Sequence, residues 1–304
     1  MSSLLDRRVV LVTGKGGVGR STVTAAMALL ARRAGKRVLV TELGDGGTDY
    51  SALARMFGQD RLPETSAPLT DGIDGSLLLP GTGLELFLTA LLRFGPLARA
   101  AAHSDALRRL LNAAPSFREM GIFFHLLTYL REKRPDGTPA HDLVLVDMPA
   151  TGHTLALTAL PAVLLRLVSR GPIPDALREG QSYLNNPETG AAYVVTLPEA
   201  LPISEALELA EGLKANQMPI GGIVLNRIPA DPFTSGEKAA LGPLIESNAW
   251  YGADGFRRIL ESQRCSKRLV QASEVPVLEV NESDRTGPHL LEYVADSLVA
   301  GVPA

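Results

Sequence analysis

The sequence predicts an α/β fold that is built on a mainly parallel β-sheet and carries an inserted helical subdomain. Short runs rich in valine, isoleucine and leucine alternate with longer segments of helical periodicity, which is typical of β-α-β units. Several of these runs are almost continuously apolar, as expected of strands covered by helices on both faces. A glycine-rich turn follows the first run and opens a helix. We therefore expect a single three-layer domain over residues 1–304.

The apolar runs and the periodic segments between them define the expected elements in chain order. The strands cover Val9–Thr13, Arg37–Glu42, Ser76–Leu79, Leu143–Asp147, Ala192–Thr196, Gly222–Asn226 and Val275–Val280. The helices cover about Ser21–Ala34, Thr154–Ser169, Glu199–Ala215, Asp254–Ala272 and Gly287–Ala300.

One segment, at about residues 82–135, interrupts the alternation of strands and helices. It contains no convincing strand, and apolar residues such as Phe117, Met120 and Phe124 lie at helical spacing. The loop at residues 134–139 closes the segment, because its prolines and glycine stop helices and favour turns. We interpret the segment as a helical insertion. Its apolar stripe serves either the core or a groove for a protein client, since the same spacing fits both.

Composition and charge restrict the partners of the chain. The 304 residues are 45% hydrophobic and 21% charged, and 30 basic against 33 acidic residues give a net charge of −3. This balance argues against nucleic acid as a partner. Arg93, Arg99 and Arg166 break the longest apolar stretches, so we expect no integral membrane segment. Cys265 is the single cysteine, which excludes an internal disulfide. We expect a cytoplasmic protein.

The segment Gly14-Lys-Gly-Gly-Val-Gly-Arg-Ser-Thr22 follows the first strand and opens a helix, which is the context of a phosphate-binding P-loop. Glycines let the backbone turn its N–H groups toward phosphate oxygens, and the helix places its positive end beneath them. The Ser21 hydroxyl is a candidate Mg²⁺ ligand. The sequence therefore predicts ATP and Mg²⁺ as cofactors. The residues assigned to the nucleotide here are Gly14, Gly16, Gly17, Val18, Gly19, Arg20, Ser21 and Thr22.

Two basic residues of the loop need separate treatment. Lys15 adds a cation after the first glycine, and by this residue the sequence resembles the deviant Walker A ATPases, in which the early lysine reaches the nucleotide of a dimer partner. The alternative is a solvated loop lysine. Arg20 stands where the usual pattern has the lysine that reaches the β and γ phosphates. Arginine keeps the charge but is not the same compact cation, so we expect binding to survive and turnover to suffer.

A second motif begins at Asp147, the carboxylate that ends an apolar strand. This placement suits a Walker B acid that holds Mg²⁺ and would act in catalysis. The following string, Met148-Pro-Ala-Thr-Gly-His-Thr-Leu155, resembles the switch element of the ArsA/Get-type family of arsenite-pump and tail-anchored-protein targeting ATPases. Together with the deviant loop it identifies a P-loop NTPase fold of that type. The resemblance extends over most of the chain.

The resemblance implies roles for further residues. Thr151, Gly152 and His153 would belong to a switch that reports the nucleotide state, whereas the alternative is that His153 caps the next helix. Asn226 matches the position that contacts adenine in the family, although an asparagine at a strand end is also an ordinary turn residue. Arg227 follows it, and both are assigned to the nucleotide.

The chain departs from the family pattern after the second strand. Gly44 occupies the position of the aspartate that orients the attacking water, which leaves Glu42 or Asp45 as the candidate catalytic acid. The zinc-binding cysteine pair of the targeting branch is also missing from the sequence, since Cys265 stands alone. Arsenite transport and a zinc-linked targeting dimer are therefore poorly supported.

Two functions remain open at the level of the sequence. In the first, an ATPase hydrolyses Mg-ATP to switch a homodimer, or a heterodimer with a paralogous ATPase, between conformations, with Lys15, Arg20 and Asp147 among its catalytic residues. In the second, a nucleotide-binding regulatory subunit with little hydrolysis pairs with a competent paralogue. Arg20 and Gly44 are the residues that favour the second function.

Overall fold

The computed structural model describes residues 2–44, 50–92, 115–149, 151–167, 171–247 and 250–300. Within these ranges one sheet contains eight strands. The strands are β1 Val9–Gly14, β2 Val38–Leu43, β3 Ala67–Thr70, β4 Ile73–Leu78, β5 Leu143–Asp147, β6 Gly190–Thr196, β7 Ile220–Ile228 and β8 Val277–Asn281. Their spatial order is β3-β4-β2-β5-β1-β6-β7-β8, and all neighbours are parallel except the antiparallel pair β3 and β4.

The helices connect the strands on both sides of the sheet. They are α1 Ser2–Leu5, α2 Arg20–Arg33, α3 Ala52–Arg55, α4 Pro80–Leu92, α5 Pro115–Arg131, α6 Thr151–Leu167, α7 Pro172–Leu184, α8 Ala200–Ala215, α9 Ser235–Ser247, α10 Ala253–Ala272 and α11 Gly287–Ala300. In the described ranges, none of these helices is long and apolar enough to cross a membrane.

The sheet separates two hydrophobic clusters, as the apolar strands predict. Along β1, Val9 and Leu11 face one cluster while Val10 and Val12 face the other, and all four are fully buried. Because side chains alternate along a strand, a run buried on both faces is the mark of a three-layer fold. Residues of α5, α6 and α8 contribute to the first cluster, and residues of α2 and α11 to the second. The predicted α/β class is confirmed.

All of the strands and long helices expected from the sequence are present, with ends shifted by a few residues. The main strand not predicted is β3, which is short, contains Pro68 and lies at the sheet edge, where a missing N–H is tolerated. The helices α7 and α9 were also not predicted. Helix α7 begins at Pro172, because proline suits the first turn of a helix even though it breaks later ones.

The described part of the insertion packs on the sheet. Met120, Phe124 and the neighbouring Leu127 of α5 are buried in the same cluster as the strand residues. Helices α4 and α5 cross closely, since a Cβ on Gly83 would lie 1.7 Å from the carbonyl oxygen of Gly121. Among these residues the apolar stripe therefore forms core. The side chain of Phe117 lies outside the described residues.

Candidate functional site

The glycine-rich loop joins β1 to α2 at the carboxyl edge of the sheet. Gly14 has a φ of 147°, and a Cβ on it would lie 2.2 Å from the carbonyl oxygen of Val195 on β6. Gly19 has a φ of 94° and is the N-cap of α2, where it offers no side-chain acceptor to the helix. The first N–H groups of α2 thus keep the partial positive charge of a helix N-terminus for an anion. The loop has the geometry of a phosphate cradle.

Asn226, near the end of β7, holds this loop in place. Its Nδ2 donates to the carbonyl oxygen of Val18 at 2.8 Å, and its side chain is buried. Its Oδ1 accepts from the N–H of Arg227, whose φ of 56° is unusual for a residue with a side chain. A Cβ on Gly19 would lie 2.4 Å from Asn226 Nδ2, so the loop fits closely around the amide. The structure therefore places Asn226 and Arg227 beside the loop.

Ser21 and Asp147 meet at the edge of the sheet. The Ser21 hydroxyl donates to Asp147 Oδ2 at 2.5 Å, and Asp147 is only 7% exposed. Within the described part of the chain, Asp147 Oδ1 is buried and has no hydrogen-bond partner. Burial raises the pKa of Asp147 to about 6, while the Ser21 hydroxyl and the Arg20 charge act in the opposite direction. A hydroxyl beside a desolvated carboxylate with an unpaired oxygen fits a Mg²⁺ ion.

Glu42 brings a second carboxylate next to Asp147. The two residues are directly paired in the register of β2 and β5. Burial raises the pKa of Glu42 to about 7, a hydrogen bond from Ser51 lowers it, and the charge of Asp147 raises it further. The Ser51 hydroxyl oxygen also accepts from the N–H of Ala54, so it links Glu42 to α3. Two coupled acids therefore lie at the ends of neighbouring strands.

Gly44, which follows β2, lies close to two leucine side chains. A Cβ on it would lie 3.2 to 3.3 Å from side-chain carbons of Leu77 and Leu79. Its N–H donates to the carbonyl oxygen of Leu78. The Cβ of an aspartate or glutamate at this position would therefore contact leucine side chains. Asp45, the other candidate acid, lies outside the described residues.

Both basic side chains of the loop have acceptors within the chain. Lys15 Nζ lies 2.5 Å from Glu205 Oε1 on α8, and the two side chains are partly exposed. Arg20 Nη1 donates to the carbonyl oxygens of Met148, at 2.6 Å, and Gly14, at 3.2 Å. Burial lowers the pKa of Arg20, and the charge of Asp147 opposes that effect. The Arg20 side chain thus joins the loop to the residue after Asp147.

The start of α6 contacts both the loop strand and the insertion. The hydroxyls of Thr13 on β1 and Thr154 on α6 are 2.8 Å apart and buried. His153 Nδ1 lies 3.2 Å from Glu119 Oε1 on α5. Since α6 begins at Thr151, His153 lies inside the helix and contacts α5 instead of capping the helix end. Sequence reasoning missed Glu119 and Glu205, because each lies far from its partner along the chain.

A small cavity opens where β6, β7 and β8 end. Its volume is about 110 Å³, and its walls include Pro198, Arg227, Arg258 and Glu282. Arg258 and Glu282 form an ion pair at 3.0 Å across part of the wall. One lining residue, Arg227, directly follows Asn226. The cavity therefore lies at the same edge of the sheet as the glycine-rich loop. In the described ranges, histidine, cysteine and acidic residues form no three-membered group suited to a metal ion.

Comparison with known proteins agrees with this geometry. The profile of the CobQ/CobB/MinD/ParA nucleotide binding domain matches residues 9–272. ATPase BagA of Mycobacterium tuberculosis is 30% identical over 236 residues, which cover 75% of this chain and 68% of that protein. ATPase GET3 of Kluyveromyces lactis is 23% identical over 271 residues, covering 76% and 74%. A Halobacterium salinarum protein named as an arsenical pump-driving ATPase is 27% identical over 226 residues, covering 69% and 33%.

The loop, the helix behind it and the Ser21–Asp147 pair define a P-loop nucleotide-binding protein of the ATPase type. The chain belongs to the CobQ/CobB/MinD/ParA nucleotide-binding domain family, and its similarity to GET3 and arsenical-pump proteins agrees with the ArsA/Get type.

Proposed function

We propose that the chain is an ArsA/Get-like ATPase that binds Mg-ATP at a deviant Walker A loop and hydrolyses it to switch a dimer between conformations. The observation that carries the proposal is the Ser21–Asp147 pair, which lies under the loop with one carboxylate oxygen unpaired among the described residues. The relatives named as ATPases support the nucleotide and the reaction class.

The phosphates would be held mainly by backbone. Gly16 and Gly17 are exposed, and a Cβ on either would meet no atom within 4 Å, which leaves room above the loop. The N-terminus of α2 adds its N–H groups and its positive end. Val18 and Gly19 are fixed from behind by Asn226. Binding by backbone amides does not depend on which cation stands at position 20.

Ser21 and Asp147 would hold Mg²⁺, which when bound supplies charge neutralisation for the phosphate oxygens. The raised pKa of Asp147 fits this role, because a buried carboxylate without a cation is costly and a divalent ion offsets that cost. Glu42 is the acid best placed among the described residues to orient water and accept its proton. Its pKa of about 7 suits proton transfer near neutral pH. Asp45 remains a candidate from the sequence.

Lys15 would stabilise phosphate charge across a dimer. Its ion pair with Glu205 of the same chain must then break when the dimer forms, which makes the two contacts alternatives. Arg227, which lines the cavity of about 110 Å³, would receive the base of the nucleotide, whereas Asn226, whose amide contacts Val18 and Arg227, would act on the nucleotide by holding the loop. A location in the cytoplasm and a client at the insertion remain predictions from the sequence.

Steady-state phosphate release tests the proposal. The purified chain should release phosphate from ATP only when Mg²⁺ is present, and Ser21→Ala should reduce the rate. Asp71→Asn is the matched control, since Asp71 is an exposed acid whose only described partner is Arg32. Release that does not depend on Mg²⁺, or that Ser21→Ala leaves unchanged, would contradict the proposal.

A second function is favoured by Arg20 and Gly44. The Arg20 guanidinium is bonded to Met148, and a side chain at position 44 would begin against leucines. These features suit a nucleotide-binding regulatory subunit that hydrolyses little and pairs with a competent paralogue. Phosphate release by the isolated chain, with and without Arg20→Lys, separates the two functions. Brisk release that Arg20→Lys does not increase would exclude the regulatory subunit.

A further inference from the structure

The carbonyl group of Met148 is buried at the start of the switch segment, residues 148–155. Met148 is 1% exposed and directly follows Asp147 at the end of β5. Its N–H donates to the carbonyl oxygen of Val12 on β1 at 2.9 Å. Met148 lies just past the end of β5 and close to the loop. Its buried carbonyl oxygen needs a donor, since buried polar groups are costly when unpaired.

Arg20 supplies that donor. Its Nη1 lies 2.6 Å from the Met148 oxygen and 3.2 Å from the Gly14 oxygen, so one nitrogen bridges the end of β1 and the residue after β5. The guanidinium is partly buried, and the carboxylate of Asp147 lies near enough to act on its pKa. An arginine stays cationic in such a place.

We propose that Arg20 is a positioning residue that ties the root of the switch segment to the P-loop, and that this is its main role in place of binding phosphate. A lysine would not replace it, because its stem is shorter and its ammonium group would not reach the two carbonyl oxygens that Arg20 Nη1 contacts. In this proposal the cation at position 20 does not bind phosphate. It instead connects Gly14 of the loop to Met148 of the switch segment. The inference rests on the proposed function only in treating the start of α6 as nucleotide-responsive.

A second contact limits how many residues depend on the Arg20–Met148 hydrogen bond, which we call the tether. The buried Thr13–Thr154 hydrogen bond fixes α6 to β1 one turn after its start. Loss of the Arg20 contact should therefore loosen the segment between Met148 and Thr154 and leave the rest of α6 in place.

Hydrogen–deuterium exchange of the full chain without nucleotide tests the tether. Arg20→Met keeps an unbranched but shorter apolar stem and has no donor, and Arg20→Lys is the second variant in case Arg20→Met does not fold. Arg32→Gln is the matched control, because Arg32 lies on the same helix and pairs only with exposed Asp71 among the described residues. We expect peptides over residues 146–156 to exchange about fivefold faster or more in both Arg20 variants, with β7 peptides unchanged. Exchange as in the wild type would overturn the proposal.

Nucleotide binding and kinetics provide the second arm. If Arg20 is a tether, Arg20→Lys should bind Mg-ATP within about threefold of the wild type and change kcat with little change in KM. A loss of affinity of about 30-fold or more, with normal exchange, would make Arg20 a phosphate ligand and overturn the proposal. A wild-type chain that binds no ATP would instead contradict the proposed function, while the exchange result would still decide the tether.

Discussion

The ends of β5 and β2 lie side by side, yet their carboxylates have different polar partners. Both carry a carboxylate, and Asp147 and Glu42 are direct partners in the sheet register. Asp147 has the Ser21 hydroxyl at 2.5 Å and the guanidinium of Arg20 nearby. Glu42 has only the Ser51 hydroxyl as a described hydrogen-bond partner, and Gly44 beyond it faces leucines. The metal and phosphate side of the site is thus more complete than the side that would activate water.

The largest effect is expected for Asp147→Asn, which removes the better-equipped carboxylate. Without its charge, Mg²⁺ should no longer strengthen ATP binding, a loss of about 10- to 100-fold in affinity. Competition against a fluorescent ATP analogue, with and without Mg²⁺, measures this. Asp71→Asn should behave as the wild type. If ATP binding by Asp147→Asn still became stronger with Mg²⁺, Asp147 would not be a metal ligand. The proposed difference between the ends of β5 and β2 would then be wrong.

Glu42→Gln examines the other strand end. We expect ATP affinity within about threefold of the wild type and a kcat about tenfold lower, because the amide cannot accept a proton from water. Steady-state phosphate release and calorimetry on the same preparation give both quantities. Equal turnover in the mutant and the wild type would move the role of water activation to Asp45 or to a partner subunit.

Lys15→Ala concerns contacts beyond the single chain. We expect it to weaken ATP-dependent dimerisation about tenfold and ATP binding far less, because the lysine would act on the partner's phosphates. Glu205→Gln should have the opposite effect on dimerisation, since it releases Lys15 from its present ion pair. Sedimentation with a non-hydrolysable ATP analogue checks both variants. An unchanged dimer population in Lys15→Ala would exclude the role across the dimer.

Stability should depend on pH because both carboxylates have raised pKa values in the folded chain. Glu42 and Asp147 titrate at about 7 and about 6, against ordinary values of 4.5 and 3.8. Between pH 4 and 7 the folded protein therefore binds more protons than the unfolded chain, so stability falls as pH rises, by on the order of a few kcal/mol. Chemical unfolding at several pH values without Mg²⁺ should show this slope, and Glu42→Gln should reduce it. A slope that Glu42→Gln leaves unchanged would contradict the described burial of Glu42, because acids with lowered pKa values, such as Asp142, contribute equally to both chains.

The smallest effect is expected for Gly44→Asp. Position 44 would place the new side chain against Leu77 and Leu79, so the carboxylate should not restore turnover and should lower stability by about 1–2 kcal/mol. Thermal unfolding and phosphate release measure the two effects. A clear rise in turnover would show that the water side of the site lacks only this acid.

Much of the fold followed from sequence because local patterns determined it. The runs around Val9 and Leu143 are buried on both faces, and the glycine loop needs its positive φ angles at fixed positions. The edge strand with Pro68 did not follow, because proline there breaks the pattern of a strand. Neither did the partners of the site residues. The contacts of Lys15 with Glu205 and of Arg20 with Met148 join residues 190 and 128 positions apart, which periodicity and motif spacing do not encode.

The central claim is that the glycine-rich loop with Ser21 and Asp147 is sufficient to bind Mg-ATP, and calorimetric titration of the wild-type chain with ATP tests it most directly. With Mg²⁺ present, we expect a saturable heat of binding with a Kd on the order of micromolar. With the metal chelated, we expect affinity at least about tenfold weaker. The absence of any binding heat from ATP or ADP at about millimolar concentration, with Mg²⁺ present, would contradict the claim.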